Sequence, residues 1–170
     1  MLRPRVAILI ADTFEDSEFI YPYYRLIEAG VQVDVVGQKE GDYRGKHGTH
    51  AKATRAIETL KSSDYDALYV PGGHAPEKLR NVPQMVAFVM SMYSSAKTVC
   101  AVCHGPLLLA SAGVLNGKKV TGYRSVKEEL LNAGADYSDK AVEEDGTIIT
   151  ARDPAALPAM MKRFLAHLEA

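Results

Sequence analysis

Residues Thr98, Val99, Cys100, Ala101 and Val102 form an apolar run that stops at Cys103-His104-Gly105-Pro106, and Leu107, Leu108, Leu109 and Ala110 follow at once. The pattern predicts a strand, a sharp turn and a helix, with Cys103 held at the turn. An elbow of this kind lifts a nucleophile above the edge of a parallel sheet, beside the positive end of a helix dipole. Placement matters because only the thiolate attacks. A free thiol with a pKa of ~8.5 is a few per cent ionised at neutral pH, and a helix N-terminus lowers that pKa. Cys103 is therefore the first candidate for a reactive residue.

The rest of the chain supplies the sheet that such an elbow needs. Val6–Ala11 is a continuous apolar run, as expected of a strand buried on both faces. Asp16 and Ser17 are candidate N-caps for a helix carrying Phe19, Ile20, Tyr23, Leu26 and Ile27 at helical spacing. Pro22 is expected to open that helix or kink its first turn, and Gly30 to stop it. Val31–Gly37 reads as a second strand, Gly41–Gly48 as a loop or small hairpin, and Asp66–Val70 as a strand ending at Pro71-Gly72-Gly73. Val82, Val86, Val89, Met90 and Tyr93 mark one helical face, and Pro106–Ala112 the helix that Gly113 closes.

Later segments are shorter. Val120–Tyr123 reads as extended, Val126–Asn132 as helical, and Ala141–Glu144 as pairing with Thr147–Thr150 across an Asp145-Gly146 turn. Asp153 is placed as the cap of a last helix, with Pro154 at its first position and Leu157, Met161, Phe164 and Leu168 as its buried stripe. Alternating strands and helices over 170 residues predict a single α/β domain with a mostly parallel sheet. Sites in such sheets lie beyond the carboxyl ends of the strands. The acidic turn after the first strand, Pro71-Gly72-Gly73 and Cys103 all fall on that edge.

Composition narrows the function classes. A formal net charge of -1 with no basic block argues against nucleic acid as the main partner. No stretch has the length or flanks of a secretion signal or membrane span, and two cysteines three residues apart cannot build a secreted disulfide framework. The expectation is a cytoplasmic protein with no membrane partner. Cys100-x-x-Cys103 could be a redox pair or half of a zinc site, but Cys100 lies inside the apolar run and no second cysteine pair exists. His47-x-x-His50 sits in a glycine-rich loop and reads as surface rather than metal site, and His167 as exposed on the last helix.

Around Cys103 the candidates have distinct chemistry. His104 is adjacent in sequence, so its side chain reaches the thiol only if the turn folds the two together; otherwise it contributes its backbone N–H. Glu15, Asp16 and Glu18 fit a helix N-terminus, which favours acids. An ionised acid beside Cys103 would oppose thiolate formation, whereas a protonated one would donate a hydrogen bond to it. Glu18 is the first choice for that acid and Glu15 the second. Gly72 and Gly73 allow close backbone approach and, with the His104 amide, could form an oxyanion hole; an ordinary tight turn is the plainer reading. Tyr123 could line the site.

Together these residues carry a resemblance. Phe14-Glu15-Asp16-x-Glu18 with Tyr21-Pro22, Gly45-Lys46-His47-Gly48, Pro71-Gly72-Gly73-x-Ala75-Pro76-Glu77, Ala101-Val102-Cys103-His104-Gly105-Pro106, Ser111-Ala112-Gly113 and Asn132-Ala133-Gly134 are similar to the PfpI-type intracellular cysteine peptidase family. That family lies within the class I glutamine-amidotransferase-like superfamily, and the match runs nearly end to end. The resemblance implies a flavodoxin-like three-layer sandwich, a domain over 1–170, Cys103 as elbow nucleophile and no cofactor or metal. It implies that His104 is the family histidine and that Glu77 reaches the histidine of a neighbouring subunit, so that a homo-oligomer completes the site. Glu77 carries no signal of its own in this sequence. Glu18 matches the acid that contacts the nucleophile, and Tyr123 a site-lining tyrosine. The implied substrates are small reactive carbonyls or glycated amines, with peptides as the alternative and a non-catalytic redox-sensing stress protein as a third reading.

Overall fold

One seven-stranded sheet runs from edge to edge as β10 (Val142–Asp145), β11 (Ile148–Ala151), β7 (Thr98–Val102), β6 (Ala67–Val70), β1 (Arg5–Leu9), β2 (Gln32–Gly37) and β5 (Arg55–Ala56) in the computed structural model, which describes residues 2–169. The two end residues of the expected 1–170 domain lie outside that range. The strands from β11 to β5 are all parallel. Only β10 at one edge runs antiparallel, joined to β11 by a hairpin. The small pairs β3 (Gly41–Arg44) with β4 (His50–Ala53), and β8 (Lys119–Val120) with β9 (Asp136–Tyr137), lie outside this sheet.

Strand side chains alternate between two cores because the pleat has a period of two. Val6, Ile8, Tyr69, Cys100 and Val102 face one core, with α1 (Asp16–Glu28) and α6 (Leu157–Glu169). Ala7, Leu9, Leu68, Val70, Val99 and Ala101 face the other, with α3 (Pro83–Ser94), α4 (Pro106–Ser111) and α5 (Lys127–Asn132). The result is the expected flavodoxin-like three-layer sandwich. Every residue of β6 and β7 is buried, as a parallel sheet covered on both faces requires.

Several local expectations change. Neither Asp16 nor Ser17 caps α1; Glu15 holds the N-cap position without a side-chain bond. Asp16 instead accepts the backbone N–H groups of His47 and Thr49 at 2.9 and 2.8 Å, which pins the Gly45–Thr49 loop. Pro22 lies in the middle of α1 rather than at its start, and Ile20 and Ile27 are exposed while Phe19, Pro22 and Leu26 are buried. On α3 the buried face is Met85, Phe88, Val89 and Met92, with Met90 exposed.

At the other end of the chain, the hairpin turns on Gly146-Thr147, since Asp145 pairs with Ile148. Gly146, with φ of 60°, stands first in the two-residue loop. Asp153 makes no cap bond and precedes a short 3-10 turn, Pro154–Ala156, before α6 begins. His167 is half-buried rather than exposed, held between Thr98 Oγ1 at 2.9 Å and Glu144 Oε1 at 2.5 Å.

Candidate active site

β7 ends at Val102, and Cys103 follows with a φ of 61°, a non-glycine residue in the left-handed region. That conformation costs about 1–2 kcal/mol and is held by its surroundings. The Cys103 N–H donates to Ala151 O at 2.9 Å, and its carbonyl accepts from Tyr123 N at 2.8 Å. Gly105 closes the turn: a Cβ there would lie 2.6 Å from Val70 O and 2.9 Å from Val102 O. The elbow is thus built, and the cysteine it presents is 8% exposed.

The turn brings the adjacent histidine onto the thiol. His104 Nδ1 lies 3.2 Å from Cys103 Sγ, and the imidazole stacks on Tyr123 with ring centroids 5.2 Å apart. Its other nitrogen, Nε2, is 3.1 Å from Ser125 Oγ. Burial lowers the His104 pKa from its ordinary value, opposed by the charge of Glu77 and reinforced by His74 and Lys46. Burial therefore favours the neutral form of the imidazole.

Glu18 reaches the same place from α1. It is fully buried, and Oε1 accepts the Gly72 N–H at 2.8 Å. Oε2 has no hydrogen-bond partner of good geometry among the described residues. Burial pushes the carboxyl up to about 7, against the pull of the Gly72 N–H; Glu15 adds to the rise, and the neighbouring Cys103 thiol and Lys46 reduce it. Burial also raises the Cys103 thiol, and an ionised Glu18 raises it further, while the backbone N–H groups of His104 and Gly73 favour the anion. A proton on Glu18 removes the like-charge repulsion and turns the carboxyl into a donor.

Gly72 and Gly73 divide their roles. The Gly72 N–H is committed to Glu18, so the pair expected to face substrate reduces to Gly73 with His104. Gly72 is instead a close-packing point: a Cβ would lie 2.5 Å from Glu18 Oε1 and 2.8 Å from Cys103 Cβ. Gly73, with φ of 75°, bridges antiparallel to Phe14, which ties the loop after β6 to the loop after β1.

Glu15 is engaged by the loop that carries Lys46 and His47. Its carboxylate pairs with Lys46 Nζ at 2.8 Å and lies 3.9 Å from His47 Nε2. Lys46, not singled out from the sequence as a site residue, is close enough to Cys103 and Glu18 for their charges to raise its pKa, behind Glu15 as the main cause. His50 turns away to Arg44 Nη2 at 3.1 Å, so the two loop histidines do not converge. Among the described residues no group of three His, Cys, Asp or Glu side chains could hold a metal ion.

Glu77 is exposed on α2 (Ala75–Leu79), and its carboxylate has no hydrogen bond among the described residues. One turn on, Arg80 Nε donates to Ser111 Oγ of α4 at 2.8 Å and its guanidinium pairs with Glu129 of α5, which fixes α2 against the elbow helix. Ser125 is the contact that the sequence reading missed entirely. Serine in a short turn is common, and only the fold reveals the imidazole beside it.

A strained thiol at a strand-to-helix turn, with an imidazole and a buried carboxyl beside it, defines a cysteine-nucleophile protein on a parallel α/β sheet. Comparison with known proteins is more specific: residues 4–167 match the DJ-1/PfpI family, and this chain belongs to it. A deglycase of Pyrococcus abyssi is 44% identical over 165 residues, which cover 97% of this chain and 99% of that protein. Protein/nucleic acid deglycase 2 of Escherichia coli is 38% identical over 170 residues, covering 98% of each. A two-domain protein of Anabaena variabilis with DJ-1/ThiJ/PfpI-like and ferritin-like domains superposes with a TM-score of 0.97 at 40% identity. That match covers 98% of this chain and 48% of the other.

Proposed function

We propose that this chain is a single-domain, cytoplasmic, cysteine-dependent deglycase or glyoxalase acting on small reactive carbonyls and the adducts they form with amines. The observation that carries the reading is the fully buried carboxyl of Glu18, held by the Gly72 N–H at 2.8 Å and packed across Gly72 from Cys103, a residue that is itself 8% exposed. A nucleophilic residue this little exposed suits a two- or three-carbon carbonyl better than an extended peptide, which needs an open groove. Full-length similarity to proteins named deglycases supports the same choice.

With methylglyoxal the chemistry balances without a cofactor. His104 Nδ1 takes the thiol proton, and the thiolate adds to the aldehyde carbon to give a hemithioacetal. The oxyanion meets the N–H groups of Gly73 and His104. A proton leaves that carbon and returns to the neighbouring one, Glu18 being placed to carry it, and the resulting thioester is hydrolysed by one water to lactate and free thiol. A glycated amine enters the same sequence by release of the amine.

The net charge of -1 argues against an electrostatic nucleic-acid binder, but not against an enzyme that acts on a base amine. Glu77 is proposed to complete the site from a neighbouring subunit of a homo-oligomer. Its exposure and its unpartnered carboxylate in the single chain support that role.

The test is lactate formation from methylglyoxal by the purified protein, with Cys103→Ala in parallel. Turnover by the parent and none by the variant is the expected result. No lactate from either protein removes the carbonyl reading.

A further inference from the structure

We propose that Ser125 is a positioning residue for the thiol chemistry: its hydroxyl receives the Nε2–H of His104, so that the bare ring nitrogen faces the sulfur. The inference rests on Cys103 and His104 as the reacting pair, but not on the choice of substrate.

A neutral imidazole has one N–H, and a base for the thiol must present its lone pair at Nδ1, 3.2 Å from Cys103 Sγ. The proton then resides on Nε2, at the exposed edge of the ring, where a fixed acceptor selects this tautomer. Among the described residues Ser125 Oγ, at 3.1 Å, is the side-chain group in that position. When Nδ1 takes the thiol proton, the imidazolium donates from both nitrogens, one to the thiolate and one to Ser125. Loss of the hydroxyl would free the ring to adopt the other tautomer, whose Nδ1–H cannot accept the thiol proton.

Ser125 is exposed, and local backbone fixes it beside the ring. Ser125 lies in the 3-10 turn Arg124–Val126, where Val126 N donates to Tyr123 O at 3.0 Å and the Val126 side chain is buried. Tyr123 N in turn donates to the carbonyl of Cys103 itself. The strap carrying Ser125 is thereby anchored to the nucleophile's own peptide unit, and Tyr123 stacks on the ring that Ser125 orients. A carboxylate supplied by a neighbouring chain can reach His104 only on its Nε2 edge, because Nδ1 faces the sulfur. A hydroxyl that accepts from Nε2 still has a proton to give to that carboxylate.

The test compares wild type, S125A and S125T in the rate of iodoacetamide alkylation at Cys103 across the neutral pH range, with lactate formation measured beside it. Cys100 is fully buried and contributes no signal. S125A is expected to alkylate about fivefold more slowly at neutral pH, the loss of roughly one hydrogen bond. Its profile should move to higher pH, kcat should fall with little change in KM, and S125T should restore all three. Wild-type rate and profile in S125A overturn the proposal, as does failure of S125T to rescue, which would make the effect structural. Absence of lactate from wild type would count against the carbonyl reading alone, because the alkylation series still decides the role of Ser125.

Discussion

The hydroxyl of Tyr69 donates to the main-chain oxygen of Glu18 at 2.5 Å, and Pro22 is the reason that oxygen is free. In an α-helix the carbonyl of residue 18 would accept from the N–H of residue 22, which proline lacks. A fully buried tyrosine on the strand leading to Gly72 fills the vacancy. The backbone of the acid and the loop that holds its side chain are thus fastened from one strand.

This arrangement makes a compensation prediction. Tyr69→Phe leaves a buried carbonyl unpaired and is expected to cost about 1–3 kcal/mol in denaturant unfolding. Pro22→Ala in that background restores an N–H four residues on, and should recover about 1 kcal/mol or more. A double variant as unstable as Tyr69→Phe alone would show that the hydroxyl does not serve the vacated carbonyl.

Glu18 sets a pH dependence whose sign follows from burial. Its folded-state pKa is raised from 4.5 to about 7, so the folded state binds the proton more tightly than the unfolded chain. Stability is therefore highest below about 4.5 as far as this group is concerned, and falls as pH rises toward about 7. The full penalty, of order 3 kcal/mol, is present above that. Glu18→Gln, uncharged throughout, should gain stability relative to wild type between pH of about 5 and about 8. It should also alkylate at least as fast as wild type at the higher pH, since no carboxylate then opposes the thiolate, while losing lactate formation for want of a transferable proton. A stability difference independent of pH would contradict the buried-acid assignment.

The elbow's backbone offers a separate measurement. Both Cys103→Ala and Cys103→Gly remove the sulfur, but only glycine is at ease with a φ of 61°. Cys103→Gly should be the more stable of the two by about 1 kcal/mol, despite glycine's greater freedom in the unfolded chain. If alanine proves the more stable, the strain at the nucleophile is not real.

What the sequence revealed was set by range. β6 and β7 were legible because an apolar run ended by glycine or cysteine needs only local pattern, and Cys103 could be singled out for the same reason. Faces of helices were less legible: on α3 the choice between Val86 and Met85 depends on which side chain the sheet can accommodate, a long-range fact. Asp16 reads locally as a cap, yet its partners are 31 and 33 residues away. Gly72 reads as a substrate donor until Glu18, 54 residues earlier, is seen to hold its N–H. Ser125 and Lys46 become visible only once three loops meet at one sheet edge.

Asp16 supplies the last prediction, because it links a remote loop to the site. Burial acts to raise its pKa, but hydrogen bonds from Thr49 and His47 outweigh that and leave it below the ordinary carboxylate value of 3.8. The carboxylate therefore contributes stability at neutral pH that is lost only as pH falls below that value. Asp16→Ala would strand two backbone N–H groups, and should cost about 2–4 kcal/mol. The same loop carries Lys46, whose own N–H donates to Phe14 O at 3.0 Å. Loosening it should detach the Lys46 cation from Glu15 and from the charges of Cys103 and Glu18, which slows thiolate formation. Amide exchange at His47 and Thr49 and alkylation of Cys103 are read in the same variant. Faster exchange with slower alkylation is expected; faster exchange with unchanged alkylation would show that the loop is structural and that Lys46 does not act on the thiol.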